Sequence, residues 1–245
     1  MVDRGFTAVR VILLDVNGTL LGYPDRLGFQ KRFAQACQEM GHPVTVEDVH
    51  RAFVGLAAEW TDKKSQGMRR ASNDEQYRAS MTWVYWRLLE ELGVPGDREQ
   101  AASDLYDRFI LREGFMPLFS DVEPALDRLR ARGLRLGVLS NFPPHLEDTL
   151  RQHGIHGYFD FFVVSSLVGL EKPDPAIFEL AIQRAGVPRE EILYVGDDLD
   201  DDIRGAQAVN LSAILIDRHD HWQAMDVARI KSLAELPGLL GFTDS

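Results

Sequence analysis

An acidic run late in the chain is the densest group of residues that could do chemistry. Five of the six residues from Asp197 to Asp202 are aspartates, and Leu199 is the exception. Carboxylates this close repel one another unless positive charge lies among them, and Mg²⁺ is the usual oxygen-bound cation near phosphates. Aspartates also cap helices, so the run could instead begin a solvated helix over residues 202–208.

Asp15 is a second candidate because it ends a largely apolar run that begins at Val9. Such a run is typical of a strand buried on both faces of a parallel sheet, whose ligands bind at the carboxyl ends of the strands. Gly18 follows closely and would let the backbone approach a ligand. The alternative is that Asp15 only begins a turn, since Asp, Asn and Gly are common turn residues.

Polar residues also follow two other predicted strands. Ser140 and Asn141 come directly after a strand predicted at residues 134–139, and Lys172 lies in the loop after a strand predicted at residues 161–164. Each of these signals is weak alone, because Ser and Asn often begin helices. Together with the two acidic candidates, they place a polar group after each main strand, which predicts one site at one edge of the sheet.

The elements that would position these residues alternate between strand and helix from residue 115 onward, as expected for a parallel α/β sheet. The predicted strands there are residues 134–139, 161–164, 192–195 and 213–216, and the predicted helices are residues 122–132, 144–153 and 175–185. Residues 25–114 show only helical patterns. The sequence therefore predicts an α/β fold with a sheet domain formed by residues 1–21 and 115–245, and an inserted helical domain formed by residues 22–114.

The helical segment has features of its own. A first helix is predicted over residues 24–40, and the predicted N-caps of the next three are Thr45, Asn73 and Asp97. Gly114 is predicted to lie past the end of the fourth helix. Its aromatic residues are more typical of core packing than of a substrate pocket, and its basic residues are more typical of a solvated linker. They are Trp60, Trp83, Tyr85 and Trp86, and Lys63, Lys64, Arg69 and Arg70.

Four stretches resemble the motifs of the haloacid dehalogenase (HAD) superfamily of hydrolases. They are Asp15-Val16-Asn17-Gly18-Thr19, Leu139-Ser140-Asn141, Lys172-Pro173 and Gly196-Asp197-Asp198-Leu199-Asp200-Asp201-Asp202. The chain is similar to the subgroup with a helical cap inserted after the first motif. The resemblance implies a Rossmann-like parallel-sheet core, a helical cap, and a phosphatase that acts on a small phosphorylated metabolite.

The resemblance also implies a role for each matching residue. Asp15 is the expected nucleophile, which forms an aspartyl-phosphate intermediate, and Lys172 is expected to neutralise charge on it. The residues expected to surround and bind the phosphoryl group are Thr19, Ser140, Asn141 and Lys172. Mg²⁺ is the expected cofactor, and its expected ligands are Asp15, the main-chain carbonyl of Asn17, Asp197 and Asp202, the last of which could orient Lys172 instead.

The sequence departs from the family pattern at Asn17. Phosphatases of this superfamily carry a second aspartate at this position as the catalytic acid and base, and an amide cannot transfer a proton. General acid–base assistance contributes about 10²–10⁴ in rate, so the departure predicts a weaker enzyme. A Mg²⁺-dependent phosphatase is the preferred interpretation. The alternatives are a 2-haloacid dehalogenase, which lacks the dense acidic motif, and a catalytically weak HAD-fold binding protein.

The overall composition limits the kinds of molecule that the protein could bind. A net charge of −11 argues against a nucleic-acid binder, because phosphate backbones need a basic surface. The chain has one cysteine, Cys37, so it cannot form an intramolecular disulfide. No apolar run approaches the roughly 20 residues that span a bilayer. We therefore expect a cytoplasmic protein without membrane contact, while the choice between monomer and homodimer stays open.

Overall fold

The structure is a computed structural model that describes residues 6, 8–65, 73–112, 116–222 and 225–242, except for the side chains of residues 57, 58, 60–65, 111 and 112. The chain divides into two compact units. The first comprises Met1–Gly22 and Leu118–Ser245 and is called the core unit, and the second comprises Tyr23–Pro117 and is called the helical unit. The boundaries expected from the sequence are residues 21/22 and 114/115.

The core unit contains a parallel sheet of six strands in the described residues. The strand order is β3-β2-β1-β4-β5-β6. The strands are β1 Val11–Leu14, β2 Arg135–Ser140, β3 Phe161–Val164, β4 Ile192–Gly196, β5 Ser212–Ile216 and β6 Arg229–Ile230. This confirms the predicted α/β fold class. The short strand β6 is an addition that the sequence did not indicate.

Strand β1 lies in the middle of the sheet, which explains its composition. All four of its side chains are fully buried, because neighbouring strands flank it on both edges and helices cover the sheet. Leu14 lies opposite Val138 of β2 and Val195 of β4. The carboxyl ends of these three strands are therefore adjacent, and the residues that follow them can share one site.

The helical unit contains four α-helices in its described residues. They are α1 Gly28–Glu39, α2 Val46–Ser65, α3 Asp74–Glu91 and α4 Arg98–Tyr106, the last of which continues into a π-helical turn over Asp107–Arg112. The predicted caps are confirmed, since the side chains of Thr45, Asn73 and Asp97 each accept a main-chain N–H at 2.8–3.1 Å.

Helix α1 begins later than predicted because residues before it form a turn. The Asp25 side chain accepts the N–H of Leu27, and its carbonyl accepts the N–H of Gly28. Tyr85 is buried in the core of the helical unit, and Trp83 and Trp86 pack partly against that core, as expected. The side chains of Trp60, Lys63 and Lys64, and residues 69, 70 and 114, lie outside the described part of the structure.

The core unit contains six further α-helices in its described residues. They are α5 Val122–Ala131, α6 Leu146–Gln152, α7 Ser165–Val168, α8 Pro175–Ala185, α9 Gly205–Ala208 and α10 Leu236–Leu239. Helix α8 matches the prediction, with the Asp174 side chain accepting the N–H of Ala176 and Gly186 adopting a left-handed conformation at its end.

The helix predicted over residues 202–208 is wrong in its first part. A π-helical segment covers Leu199–Arg204, and α9 begins only at Gly205. The physical reason is an earlier cap, because the Asp198 side chain accepts the N–H groups of Asp200 and Asp201 at 2.8 and 2.7 Å. Separately, none of the helices in the described residues has the length and apolar character needed to cross a lipid bilayer.

Candidate active site

Asp15 lies directly after β1 in a tight turn and is almost fully buried. Its N–H donates to the carbonyl of Val195, which ties the turn to β4. The carbonyl of Val16 then accepts the N–H groups of Leu20 and Leu21, both at 2.8 Å. These hydrogen bonds close the turn and fix the orientation of the Asp15 side chain at the end of β1.

Gly18 lets a second carboxylate approach this turn. Its φ angle is +75°, a conformation that residues with a Cβ rarely adopt. A Cβ at this position would also overlap the carboxylate of Asp197. The glycine is therefore required twice, once for the backbone conformation and once for the space that Asp197 occupies beside the turn.

The ammonium group of Lys172 joins the site together. Its Nζ donates to Asp15 Oδ1 at 2.7 Å, to Asp202 Oδ1 at 2.5 Å and to the hydroxyl of Tyr194 at 3.0 Å. The Tyr194 hydroxyl in turn donates to Asp202 Oδ1 at 2.6 Å. The lysine side chain is 4% exposed, so all three of its protons are used inside the protein.

The side chain of Asn141 positions Lys172 by bonding to the main chain of that lysine. The amide side chain of Asn141 accepts the N–H of Lys172 at 2.8 Å and donates to its carbonyl at 3.0 Å. The peptide bond between Lys172 and Pro173 is cis. The two hydrogen bonds between Asn141 and Lys172 connect the end of β2 to the lysine loop. They give the Asn141 side chain a structural role that the sequence did not reveal.

The acidic run contributes its members unequally. Asp202 is buried, and its Oδ2 accepts the N–H of Asp198 at 3.0 Å, so both of its oxygens have partners within the protein. Because both oxygens of Asp202 already accept hydrogen bonds, the geometry favours a role for Asp202 in orienting Lys172 over a role as a metal ligand. Asp198 is exposed and caps the π-helical segment, and Asp200 is exposed and pairs with Arg204.

Three carboxylates lie close enough to share a cation. Oxygen atoms of Asp15, Asp197 and Asp202 all lie within 4.8 Å of one another, and no other such group of His, Cys, Asp or Glu occurs in the described residues. Hard oxygen donors of this type suit Mg²⁺. The site residues therefore fit a divalent cation, which would offset the repulsion among the carboxylates.

The pKa directions report the same excess of negative charge. Burial raises the pKa of Asp15 to about 6, although Lys172 opposes the shift. Burial, together with the charges of Asp15 and Asp202, raises the pKa of Asp197 well above its usual value. The pKa of Lys172 is lowered by burial but raised more by its two carboxylate partners. One ammonium group thus does not balance the three carboxylates.

Three polar side-chain atoms of the site residues predicted from the sequence are buried without a hydrogen-bond partner among the described residues. They are Asn17 Oδ1, Thr19 Oγ1 and Ser140 Oγ. An unpartnered buried polar atom costs about 1–3 kcal/mol, so such atoms need an explanation when several occur together. All three belong to residues that the sequence placed in the site, and the two hydroxyls can donate to an oxyanion.

Two residues of the site escaped sequence analysis. Tyr194 lies inside the fully buried strand β4. Its presence in an apolar run could have indicated a role in the site, because a buried tyrosine hydroxyl needs a hydrogen-bond partner. Arg218 follows β5 at the same edge of the sheet, which was the available signal. Its guanidinium donates to the Thr19 carbonyl at 2.7 Å and to both Asp121 oxygens at 3.0 Å, and lies 3.9 Å from the ring centre of Phe119.

Comparison with known proteins establishes the family. A family profile described as haloacid dehalogenase-like hydrolase matches residues 9–210. Haloacid dehalogenase-like hydrolase domain-containing protein 3 of Danio rerio is 32% identical over 241 residues, which are 95% of this chain and 96% of that protein. A glyceraldehyde 3-phosphate phosphatase of Methanopyrus kandleri is 30% identical over 89% of this chain and 88% of its own length.

A solved structure shows the same fold. The magnesium-bound HAD hydrolase YfnB of Bacillus subtilis superposes with a TM-score of 0.77 at 24% identity, and the match covers 95% of this chain and 98% of that one. L-2-haloacid dehalogenases of known structure share the fold as well. The chain belongs to the haloacid dehalogenase-like hydrolases, and it is a hydrolase enzyme.

We expect the substitution Arg218→Met to destabilise the core unit. It removes the bond to the Thr19 carbonyl and the pairing with Asp121, and lost buried hydrogen bonds of this kind cost about 1–3 kcal/mol. Urea denaturation monitored by circular dichroism measures the loss as a lower midpoint. Arg204→Met is the matched control, because Arg204 pairs on the exposed surface, where such pairs contribute about 0–1 kcal/mol. Equal midpoints for the two variants would contradict the anchoring of the turn after β1 by Arg218.

Proposed function

We propose that this hydrolase is a Mg²⁺-dependent phosphatase that acts on a small phosphorylated metabolite through an aspartyl-phosphate intermediate on Asp15. The observation that carries the proposal is the Lys172 ammonium group, which bridges Asp15 and Asp202 beside a third carboxylate, that of Asp197. The similarity to a glyceraldehyde 3-phosphate phosphatase supports phosphate esters as the substrate class.

In this proposal each residue has a defined task. Asp15 Oδ attacks the phosphorus atom, and Lys172 neutralises charge on the nucleophile and on the transferred group. The unpartnered hydroxyls of Thr19 and Ser140, together with the main-chain N–H of Asn141, bind the phosphoryl oxygens. Residues 22–114 are proposed to act as the cap that selects the substrate.

The proposed metal ligands are Asp15, the main-chain carbonyl of Asn17, and Asp197. Asp202 contributes its charge and orients Lys172, with ligation as its alternative role. When bound, Mg²⁺ supplies positive charge that stabilises the phosphoryl oxygens in the transition state. The fold is also compatible with a 2-haloacid dehalogenase, for which Asp15 would attack carbon, but the three neighbouring carboxylates favour the metal-dependent reaction.

We expect Asp15→Asn to lower phosphate release from p-nitrophenyl phosphate by on the order of 10⁴-fold or more, because it removes the nucleophile. The measurement is hydrolysis with and without Mg²⁺, with chloride release from 2-chloropropionate followed alongside. Asp200→Asn is the matched control, since it makes the same charge change at an exposed residue of the acidic run and should stay active.

The two assays separate the alternatives. Mg²⁺-dependent phosphate release that disappears in the Asp15 variant supports the proposal. Metal-independent chloride release would assign the protein to the dehalogenases. Absence of both activities in folded protein that still binds Mg²⁺ would favour a binding function, and full activity in the Asp15 variant would exclude the covalent mechanism.

We also expect Mg²⁺ to raise the unfolding temperature of the wild-type protein, because a ligand that binds only the folded state stabilises it by about 2.7 kcal/mol at 100 times its Kd. The substitution Asp197→Asn should remove most of this shift, while Asp200→Asn should keep it. Thermal unfolding in a Mg²⁺ titration measures the effect without any substrate. An unchanged shift in Asp197→Asn would show that the cation binds elsewhere.

A further inference from the structure

The main chain of Thr19 is held by a residue from a distant part of the core unit. Arg218 donates an N–H to the Thr19 carbonyl at 2.7 Å, whereas the Thr19 N–H reaches the Val16 carbonyl at 3.3 Å, which is long for a hydrogen bond. Asp15 has a separate anchor, because its N–H donates to the carbonyl of Val195 at 2.9 Å. The contact with Arg218 therefore bears on Thr19 more than on Asp15.

Arg218 is itself fixed by its neighbours. Its guanidinium donates to both oxygens of Asp121 at 3.0 Å and lies 3.9 Å from the ring centre of Phe119. Asp121 also accepts the hydroxyl of Ser232 at 2.7 Å, and the N–H of Phe119 donates to the carbonyl of Leu20 at 3.1 Å. Because a guanidinium is planar and its donors have fixed directions, Arg218 holds the Asp121 carboxylate and the Thr19 carbonyl in a fixed relation.

The side chain of Thr19 gives this contact a possible use. Thr19 is fully buried, and its Oγ1 has no hydrogen-bond partner among the described residues. A buried hydroxyl without a partner does not stabilise the fold, so its position matters when a ligand accepts its proton. In the proposed function that ligand is the phosphoryl group. A misplacement of about 1 Å can cost about 10²-fold in rate, even when its cause lies far from the reacting atoms.

On the basis of the proposed phosphatase function, we infer that Arg218 is a positioning residue for phosphoryl transfer. It holds the main chain of Thr19 so that the Thr19 hydroxyl is directed at the phosphoryl oxygens. Arg218 does not touch the substrate and neither gains nor loses a proton. Its effect on the reaction passes through Thr19, and it should disappear when the Thr19 hydroxyl is removed.

A second explanation would be the positive charge of Arg218. Burial lowers the pKa of Arg218, and the charges of Asp121 and Asp197 oppose this shift, so the guanidinium interacts electrostatically with a carboxylate of the site. The substitution Arg218→Lys separates the two explanations. An ammonium group keeps the charge but lacks the planar fork that reaches the Asp121 carboxylate and the Thr19 carbonyl together. Positioning by geometry predicts that Arg218→Lys loses activity as Arg218→Met does.

The test is a double-mutant cycle on kcat/KM for p-nitrophenyl phosphate with Mg²⁺, at a temperature where circular dichroism shows every variant folded. Arg218→Met should lower kcat/KM by about 10- to 10²-fold. Thr19→Val should lower it by about 10²- to 10³-fold, because it removes one donor to the transition state. In the Thr19→Val background, Arg218→Met should lower it further by less than about threefold.

Two controls keep this result from being read as a loss of stability. The urea midpoint of Thr19→Val should be no lower than that of the wild type, because valine removes a polar atom that has no partner among the described residues. Arg10→Met should keep the wild-type kcat/KM, because Arg10 forms an exposed pair with Glu191 before β1, at the end of the strand opposite Asp15.

Ser140 provides the matched cycle. Its Oγ is the other unpartnered hydroxyl of the proposed site, and none of the hydrogen bonds of Arg218 in the described residues reaches it. In the Ser140→Ala background, Arg218→Met should therefore keep its whole effect, again about 10- to 10²-fold. If Arg218→Met fails to fold, both cycles are measured with Arg218→Lys.

Each outcome decides for or against the positioning role. Equal losses from Arg218→Met with and without the Thr19 hydroxyl would overturn the inference, since Arg218 would then act on the whole core unit. Wild-type kcat/KM in Arg218→Lys would overturn it by assigning the effect to charge. In both cases the phosphatase function would stand. Absence of phosphate release from the wild type would remove the proposed function, and the positioning role would fall with it.

Discussion

The buried ammonium group of Lys172 is the interaction on which the rest of the site depends. Removing a charged group from water costs several kcal/mol, so this lysine is stable only because Asp15 and Asp202 lie within hydrogen-bond distance. Its backbone is held in turn by Asn141. The turn after β1, the end of β2, the lysine loop and the segment after β4 must therefore all be in place before the charge is satisfied.

Such an arrangement is better explained by function than by stability. Apolar side chains of similar volume often stabilise a protein as well as a buried ion pair does, whereas breaking such a pair leaves an uncompensated charge. The core unit could be packed without Lys172, because the sheet is already buried among apolar residues. The free-energy cost of burying Lys172 is consistent with a functional site that holds the Asp15 carboxylate and a positive charge in fixed relation.

Most of the fold was predictable because the information is local. Strands β1 to β5 are apolar runs that end at polar residues, and α8 carries its own cap, its first-turn proline and its terminal glycine. Strand β6 has only two residues, and its position depends on pairing with β5, which no local pattern encodes. The acidic run was harder, because a cap at Asp198 starts the segment earlier and with a different helical repeat.

The site was predictable to the extent that strand ends coincide in space. That rule predicted that Asp15, Lys172 and Asp202 lie close together, and in the structure Lys172 donates hydrogen bonds to both aspartates. Tyr194 and Arg218 were missed because their tasks depend on partners distant in sequence. Arg218 holds the carbonyl of Thr19 across 199 residues, and nothing near either residue announces that contact.

Electrostatics distinguishes between the reactions that this fold could perform. The chain carries a net charge of −11, and the site opposes one ammonium group to three carboxylates, so a phosphate dianion meets repulsion at long and short range. The hydroxyls of Thr19 and Ser140 are too weak to overcome it alone. A divalent cation would cancel an excess of about two negative charges, which would explain why three carboxylates lie so close together. A dehalogenase that works without a metal has no use for Asp197 beside its nucleophile, and this asymmetry is the physical reason to prefer the phosphatase.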